Sequence, residues 1–219
     1  MLVSIEWRSG ETVPARYLEG DRRPGMLLAH GAGAGQDHEF MVELQARLAG
    51  KGFPVLTFDY PYRAAGRRLP DRKEVLLESQ RAAAGWLRER VGEIVLAGKS
   101  MGGRMASYLA AEGEACVGVV CYGYPLLPVG KTQPRDVTHL GKLQVPILFI
   151  SGSRDSMAPL PLLQRAAAGV PMAWLVIVPA ADHSFRVKGR DAGSVQQELV
   201  DATVNWLIIL GGGPLSDQG

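Results

Sequence analysis

Short apolar runs alternate with longer segments of helical spacing over most of the chain. The runs are predicted as strands: 26–30, 55–58, 93–97, 117–122, 145–150 and 174–178. The segments between and after them carry apolar residues three or four positions apart and are predicted as helices: 38–50, 73–91, 101–112, 160–168 and 195–210. This alternation predicts βαβ units, and therefore an α/β fold with a mostly parallel, twisted sheet covered by helices on both faces.

The two ends of the chain have a different pattern. Residues 3–7 and 12–18 alternate apolar and polar positions on either side of Ser9 and Gly10, which predicts an antiparallel hairpin at one edge of the sheet. No internal repeat or long linker divides the rest, so we predict a single domain over residues 1–210. Residues 211–219 offer no core positions and are expected to form a flexible C-terminal tail.

Composition narrows the class of protein. Of the 219 residues, 47% are apolar and 21% are charged, and the formal net charge is +2. This balance argues against a disordered chain and gives no reason to expect a nucleic-acid or membrane surface. The first residues do not resemble a signal peptide, and the two cysteines, Cys116 and Cys121, are five positions apart and face opposite sides of one strand. We therefore expect a cytoplasmic protein without disulfides.

A Gly-x-Ser-x-Gly motif supplies a candidate nucleophile. Ser100 stands between Gly98 and Gly102, directly after a predicted strand and before a predicted helix. A serine at such a sharp turn projects its hydroxyl beyond the carboxyl ends of the strands, and its small neighbours let the strand and the helix approach each other. Motifs of this form also arise by chance in a glycine-rich chain, so the interpretation depends on partners for the serine.

A serine nucleophile needs a general base and an acid that orients the base. Asp155 and His183 each follow a predicted strand by five residues, and the order Ser100, Asp155, His183 is the one that the nucleophile-elbow fold uses. We predict that these three residues are catalytic. The alternatives are a helix-capping role for Asp155 and a surface position for His183. Asp182 is a rival acid, but its adjacency to His183 is expected to turn its side chain elsewhere.

Two backbone N–H groups are predicted to form an oxyanion hole. One belongs to Met101, the residue after the nucleophile. The other belongs to Ala32, in a glycine-rich loop over residues 30–35 whose small side chains let the backbone approach a substrate. The alternative for this loop is an ordinary flexible turn.

Other chemistries lack the residues they need. Lys99 and its neighbours resemble the end of a phosphate-binding loop, but Glu93 stands where that motif requires a glycine. Asp37, His38 and Glu39 are contiguous, without the spacing of metal ligands on one helix face, and are better explained as the start of a helix. We expect neither a metal nor another cofactor.

Residues near the strand ends are candidates for substrate binding. Tyr60 and Tyr124 follow predicted strands, and Arg63 begins a basic run that extends to Lys73. The tyrosines either line an acyl pocket or pack in the core. The basic run is either a solvated loop or a positive rim that attracts an anionic substrate or partner, with Lys99 adding to the field beside the nucleophile.

Six motifs, in order along the chain, resemble one group of α/β hydrolases. They are HGAGAG, FDYPY, GKSMGGRM, YGYPL, SGSRD and DHSF. They are similar to those of the dienelactone-hydrolase-like group, which includes testis-expressed hydrolase-like proteins and a related subunit of a chromatin acetyltransferase complex. The likeness extends from Met26 to Leu210 and implies an open sheet of about seven or eight strands with a Ser100–Asp155–His183 triad. It does not identify a physiological substrate.

Together these residues predict a serine hydrolase that cleaves small acyl esters through an acyl-enzyme. Only the short segment Gly123–Gln144 stands where relatives insert a cap, so we expect no cap domain and a shallow, accessible site. The expected partner is a small-molecule ester, with no nucleic acid and no membrane, while the oligomeric state stays open. The alternative is a non-catalytic protein-interaction module on the same fold, which would dock through the basic run and the tyrosines.

Overall fold

The computed structural model describes residues 1–211, which contain one eight-stranded sheet. Strands β1 to β8 are Leu2–Arg8, Glu11–Leu18, Gly25–Ala29, Val55–Phe58, Ile94–Lys99, Gly118–Tyr122, Ile147–Gly152 and Ala173–Val178. In this part of the chain the helices α1 to α6 are Glu39–Gly50, Pro61–Ala64, Lys73–Val91, Met101–Ala111, Leu160–Ala168 and Ala192–Leu210. A short 3₁₀ helix, Thr138–Lys142, lies between β6 and β7. Apart from Gly211, the predicted C-terminal tail lies outside the described residues.

The sheet is parallel except at one edge. The strand order is β1-β2-β4-β3-β5-β6-β7-β8. β1 pairs with β2, and β2 with β4, in antiparallel orientation, whereas the other neighbouring strands are parallel. This confirms the predicted α/β class, the N-terminal hairpin and the mostly parallel sheet. Because the parallel strands point the same way, the loops that follow them meet at one edge of the sheet.

Two apolar layers cover the faces of the sheet. On β3, Leu27 and Ala29 belong to the layer formed with α3, α4 and α5, whereas Met26 and Leu28 belong to the layer formed with α1 and α6. Successive side chains of a strand point to opposite faces, so alternate residues enter alternate layers. Burial on both sides explains why the central strands are continuous apolar runs.

The structure departs from the sequence prediction in short elements and at boundaries. β7 begins at Ile147, two residues later than predicted, and extends to Gly152. The single-turn helix α2 and the 3₁₀ helix were not predicted, because a turn of four or five residues is too short to show a period. Between β6 and β7, residues 123–146 contain only that 3₁₀ helix, so no cap domain covers this edge of the sheet.

Candidate active site

Ser100 occupies the turn between β5 and α4. Its backbone has φ +51° and ψ −113°, a conformation that non-glycine residues seldom adopt. Such strain persists only where the surrounding structure holds it in place, and it is concentrated at functional sites. The turn directs the hydroxyl away from the sheet, toward the loops that follow the neighbouring strands.

The two glycines of the motif are required by close packing around this turn. A Cβ atom at Gly98 would lie 2.3 Å from the carbonyl carbon of Gly102, and a Cβ atom at Gly102 would lie 2.3 Å from the carbonyl oxygen of Ala29. Neither position can accept a side chain without movement of the backbone. The glycines therefore let α4 cross directly over the ends of β3 and β5.

Three distant residues form one hydrogen-bonded chain at this edge. The Ser100 Oγ atom lies 3.0 Å from Nε2 of His183, and Nδ1 of His183 lies 2.8 Å from Oδ2 of Asp155. The Asp155 carboxylate can only accept, so Nδ1 carries the proton and Nε2 is the acceptor for the serine hydroxyl. The structure thus brings together the residues predicted as nucleophile, base and acid, in the geometry that proton transfer from the serine requires.

The carboxylate of Asp155 is held on its other side by the backbone. Its Oδ1 atom accepts hydrogen bonds from the N–H groups of Met157, at 2.8 Å, and Ala158, at 3.1 Å. Asp155 therefore does not cap α5, whose N-cap is Pro159; its Oδ1 closes the turn before that helix and leaves Oδ2 for His183. Asp182, the rival acid, accepts instead from the N–H groups of Ser184 and Arg186 and shapes the turn around His183.

Lys99 contributes a contact that the sequence did not indicate. Its Nζ atom donates a 2.6 Å hydrogen bond to the backbone carbonyl of His183. Burial lowers the pKa of Lys99 to about 8, while the negative charges of Asp155 and Asp182 oppose the shift. Sequence analysis placed this ammonium only as part of a positive field, because nothing local to residue 99 reveals a partner 84 positions away.

The loop after β3 is held in place by buried polar side chains. Nδ1–H of His30 donates to the carbonyl of Gly31 at 2.8 Å, and Nε2 accepts from the N–H of Tyr60 at 3.2 Å. The Tyr62 hydroxyl donates to the carbonyl of Ala32 at 2.9 Å. Burial lowers the pKa of His30, which favours the neutral ring that this pair of contacts needs. Sequence analysis did not identify these supporting roles.

Both predicted oxyanion donors lie beside the serine. Ala32 and Ser100 line the same cavity, and Met101 is the first residue of α4. An N–H at the first position of a helix has no partner within the helix, so that of Met101 is free to bind an oxyanion. The assignment of both groups to an oxyanion hole stays a prediction.

An open cavity of about 370 Å³ gives access to Ser100 and His183. Most of its walls are small or apolar residues, among them Ala34, Met41, Val129 and Met157. A second cavity of about 240 Å³ shares His38, Phe40 and Ser184 with it but is lined by neither Ser100 nor His183. The first cavity is therefore the one in which a substrate would meet the serine.

The prediction that Tyr60 and Tyr124 contact substrate is wrong. Both side chains are fully buried, and the Tyr60 hydroxyl donates to Gln80 at 2.7 Å, while that of Tyr124 lies 3.3 Å from Ser107. Tyr60 lies in the same layer as Phe58 and so continues the alternation of β4. Tyr124 lies in the layer opposite to that of Tyr122, because the chain turns at Gly123, which has φ +66°. Arg63 is exposed in a neighbouring depression with Asp59, and its role in substrate binding stays a prediction.

The structure explains the acidic and histidine-containing segment before α1 as a helix start. The His38 side chain accepts a hydrogen bond from the N–H of Phe40 and caps the helix. Across residues 1–211, no group of three potential ligands is arranged to hold a metal ion. Within the same range, no helix combines the length and apolarity needed to cross a bilayer.

The fold and the strained serine turn define an α/β protein of the hydrolase class. Residues 22–208 match the family model described as an alpha/beta hydrolase domain, and the chain belongs to that family. It is 28% identical over 207 residues to the uncharacterized protein Rv2307c of Mycobacterium tuberculosis strain H37Rv, with 83% of this chain and 72% of the relative covered.

Solved structures share the fold at lower identity. Est1E from Butyrivibrio proteoclasticus has a TM-score of 0.77 at 14% identity, covering 96% of this chain and 99% of that one. A dienelactone hydrolase from Anabaena variabilis has a TM-score of 0.75 at 21% identity, covering 95% and 96%. These findings confirm the predicted likeness to α/β hydrolases and their dienelactone-hydrolase-like group, and they support a hydrolase.

Proposed function

We propose that the protein is a serine hydrolase that cleaves small acyl esters. The observation that carries the proposal is the hydrogen-bonded chain from Ser100 through His183 to Asp155, which opens on the 370 Å³ cavity. A serine, a base and an orienting acid in this arrangement are the requirements of acyl transfer. Family membership supports hydrolysis but does not by itself specify the bond.

The first half of the reaction forms an acyl-enzyme. Ser100 Oγ attacks the ester carbonyl carbon while Nε2 of His183 takes the hydroxyl proton, and Asp155 stabilises the imidazolium that results. The N–H groups of Ala32 and Met101 bind the oxyanion of the tetrahedral intermediate. When the intermediate collapses, the bond to the alcohol breaks and His183 donates its proton to the leaving alkoxide oxygen.

The second half of the reaction regenerates the enzyme. Water attacks the acyl carbon as His183 takes one of its protons, and the bond to Ser100 Oγ breaks. His183 then returns the proton to the serine, and the carboxylic acid leaves. The small, apolar walls of an uncapped cavity suit short acyl groups, and the dienelactone hydrolase among the structural neighbours supports esters and lactones as the first substrates to test.

Labelling with a fluorophosphonate and hydrolysis of p-nitrophenyl butyrate test the proposal together. Wild-type protein is expected to be labelled at Ser100 and to hydrolyse the ester, and Ser100→Ala to lose both, with kcat lower by on the order of 10⁶-fold. Ser107→Ala is the matched control, because Ser107 also lies beside a histidine, 2.9 Å from Nε2 of His139, but is fully buried. It is expected to keep both the label and the activity.

The contrary outcome has a clear form. Folded wild-type protein that takes no label, together with ester hydrolysis that Ser100→Ala leaves unchanged, would reject a serine hydrolase. If the wild type and Ser100→Ala then captured a partner protein equally well, this result would support the alternative of a non-catalytic interaction module.

A further inference from the structure

Two neighbouring residues of the chain hold the same histidine. Ser100 contacts the ring of His183 at Nε2, at 3.0 Å, while Lys99 donates from Nζ to the backbone carbonyl of His183, at 2.6 Å. The end of β5 therefore contacts both the reacting atom and the main chain of the predicted base. A movement of the His183 backbone relative to Ser100 would have to break the Lys99 contact.

The segment around His183 has few other ties to β5. Asp182 closes the turn on itself through the N–H groups of Ser184 and Arg186, and the carbonyl of Ala181 accepts from the N–H of Arg154 near the end of β7. Between residues 94–100 and residues 181–186, the described part of the chain shows only the hydrogen bonds of Lys99 and Ser100 to His183. Lys99 is therefore the side chain of β5 that ties the His183 backbone to this strand, while the buried residues Ala181 and Phe185 anchor the flanking turn in the core.

The surroundings of the ammonium fit a permanent structural contact. Nζ lies 5.3 Å from the ring centre of Phe185 and 6.0 Å from that of Phe40. A Cβ atom at Gly123 would lie 3.0 Å from Nζ and 3.4 Å from the His183 ring, and Gly123 has φ +66°, so a glycine makes room for both groups. The charged groups that act on the ammonium are the carboxylates of Asp155 and Asp182.

Burying an ammonium group opposes folding, which bears on why a lysine is present. Removing a charge from water costs free energy unless hydrogen bonds and opposite charges compensate for it. An apolar side chain of similar length would fill this place without that cost. A lysine here is therefore better explained by its hydrogen bond to His183 than by packing.

We propose that Lys99 is a positioning residue for the reaction of Ser100: it fixes the backbone of His183 so that Nε2 stays within hydrogen-bonding distance of the serine hydroxyl. The inference rests on the proposed serine-hydrolase function. Misplacement of a catalytic group by about 1 Å lowers rates by on the order of 100-fold. Loss of Lys99 therefore lowers kcat. Lys99 also lines the 370 Å³ cavity, so the test uses methionine, which has a similar length, and the main effect is expected on kcat rather than on KM.

The first test compares two lysine variants. Lys99→Met removes the ammonium and keeps most of the side-chain length, and Lys188→Met removes the same charge from an exposed position five residues after His183 in the sequence. With p-nitrophenyl butyrate, Lys99→Met is expected to lower kcat about 100-fold, with KM within about twofold of wild type. Lys188→Met is expected to resemble wild type in both. The melting temperature of Lys99→Met is expected to stay level or rise, since a buried charge is gone.

A second variant separates the hydrogen bond from the charge. Lys99→Ala leaves a space in which added ethylammonium can donate to the His183 carbonyl, whereas tetramethylammonium carries the same charge without an N–H group. Ethylammonium is expected to raise the kcat of Lys99→Ala at least tenfold, and tetramethylammonium is expected to leave it unchanged. This rescue distinguishes positioning from a general loss of structure and is available even if Lys99→Met folds poorly.

Three results would overturn the inference: Lys99→Met with the kcat of Lys188→Met, a loss that falls on KM alone, or equal rescue by both cations. Its failure is distinguishable from failure of the proposed function. A wild-type protein that is labelled at Ser100 and hydrolyses esters, paired with an undiminished Lys99→Met, rejects only the role of Lys99. A wild-type protein that does neither rejects both.

Discussion

Backbone geometry at single residues sets the shape of the nucleophile turn. Ser100 has a positive φ, and the glycines two positions before and after it leave no room for a Cβ atom. Gly103 adds to the same crossing, because its Cβ atom would lie 2.7 Å from the carbonyl oxygen of Gly98. At this scale the three glycines are required by the small space available around the turn.

Replacement of Gly102 by alanine tests this crowding. The new Cβ atom would meet the carbonyl oxygen of Ala29 at 2.3 Å, so Gly102→Ala is expected to lower the free energy of unfolding by about 1–3 kcal/mol or more. Urea unfolding followed by circular dichroism measures the change. Gly85→Ala is the matched control: Gly85 lies within α3 with nothing within 4 Å of its Cβ position, and alanine there is expected to stabilise by up to about 1 kcal/mol. Equal effects of the two substitutions would contradict this account.

Among the secondary-structure elements, the packing of the 3₁₀ helix on α4 creates a buried polar cluster away from the serine. His139 stacks on Tyr108 with ring centres 3.6 Å apart, and its Nε2 lies 2.9 Å from Ser107 Oγ. Arg104 donates to the carbonyl of Asp136 at 2.7 Å and so fastens the preceding loop to the helix. Burial, followed by the positive charges of Arg104 and Lys73, lowers the pKa of His139 to about 4.

This cluster predicts a loss of stability in mild acid. The histidine of the unfolded chain titrates near 6.5, so between about pH 6.5 and 4 the unfolded state binds the proton and the folded state resists it. The stabilisation is present above pH 6.5 and is lost as the pH falls toward 4. Because solvent screens charges near the surface, the expected loss in the free energy of unfolding is about 1–2 kcal/mol.

Thermal unfolding between pH 7 and pH 4 measures this loss in the wild type and in His139→Gln. Between pH 7 and pH 4 the melting temperature of His139→Gln is expected to fall less than that of the wild type. His38→Asn, which replaces an exposed helix-capping histidine by another capping residue, is expected to keep the wild-type dependence. An unchanged pH dependence in His139→Gln would count against the cluster as its source.

At the scale of the whole molecule, the parallel sheet assembles the site from distant parts of the chain. Ala32, Ser100, Asp155 and His183 follow β3, β5, β7 and β8 in turn. Their loops lie at one edge because the strands run the same way and β3 and β5 are neighbours. No cap is inserted over that edge within residues 123–146, so the cavity stays open to solvent.

An open cavity of this size predicts a preference for short acyl chains. With p-nitrophenyl esters, kcat/KM is expected to be highest between acetate and butyrate and to fall at least tenfold by decanoate, because no enclosed tunnel covers a longer chain. Steady-state kinetics across the chain-length series, below the micelle concentration of each ester, gives the comparison. A value of kcat/KM that rises steadily to decanoate would contradict the predicted shape of the site.

The sequence predicted most of the fold because the pattern of apolar residues is set by burial on the sheet. α3 and α5 have the predicted bounds, Lys73–Val91 and Leu160–Ala168. The helical spacing of apolar residues continues over the whole length of α3, and in α5 it begins and ends clearly. The positions of Ser100, Asp155 and His183 after successive strands were also visible, because topology places those loops together. Their catalytic roles remain a proposal until the serine is labelled.

What the sequence by itself determined is therefore the order of elements and the loops that carry reactive side chains, since both depend on local spacing. Only the tertiary structure decided the direction of each side chain and its partner. It placed Tyr60 and Tyr124 in the core rather than in the cavity, and it brought Lys99 to the carbonyl of His183. These contacts depend on strand register and loop conformation, which no local pattern of residues specifies.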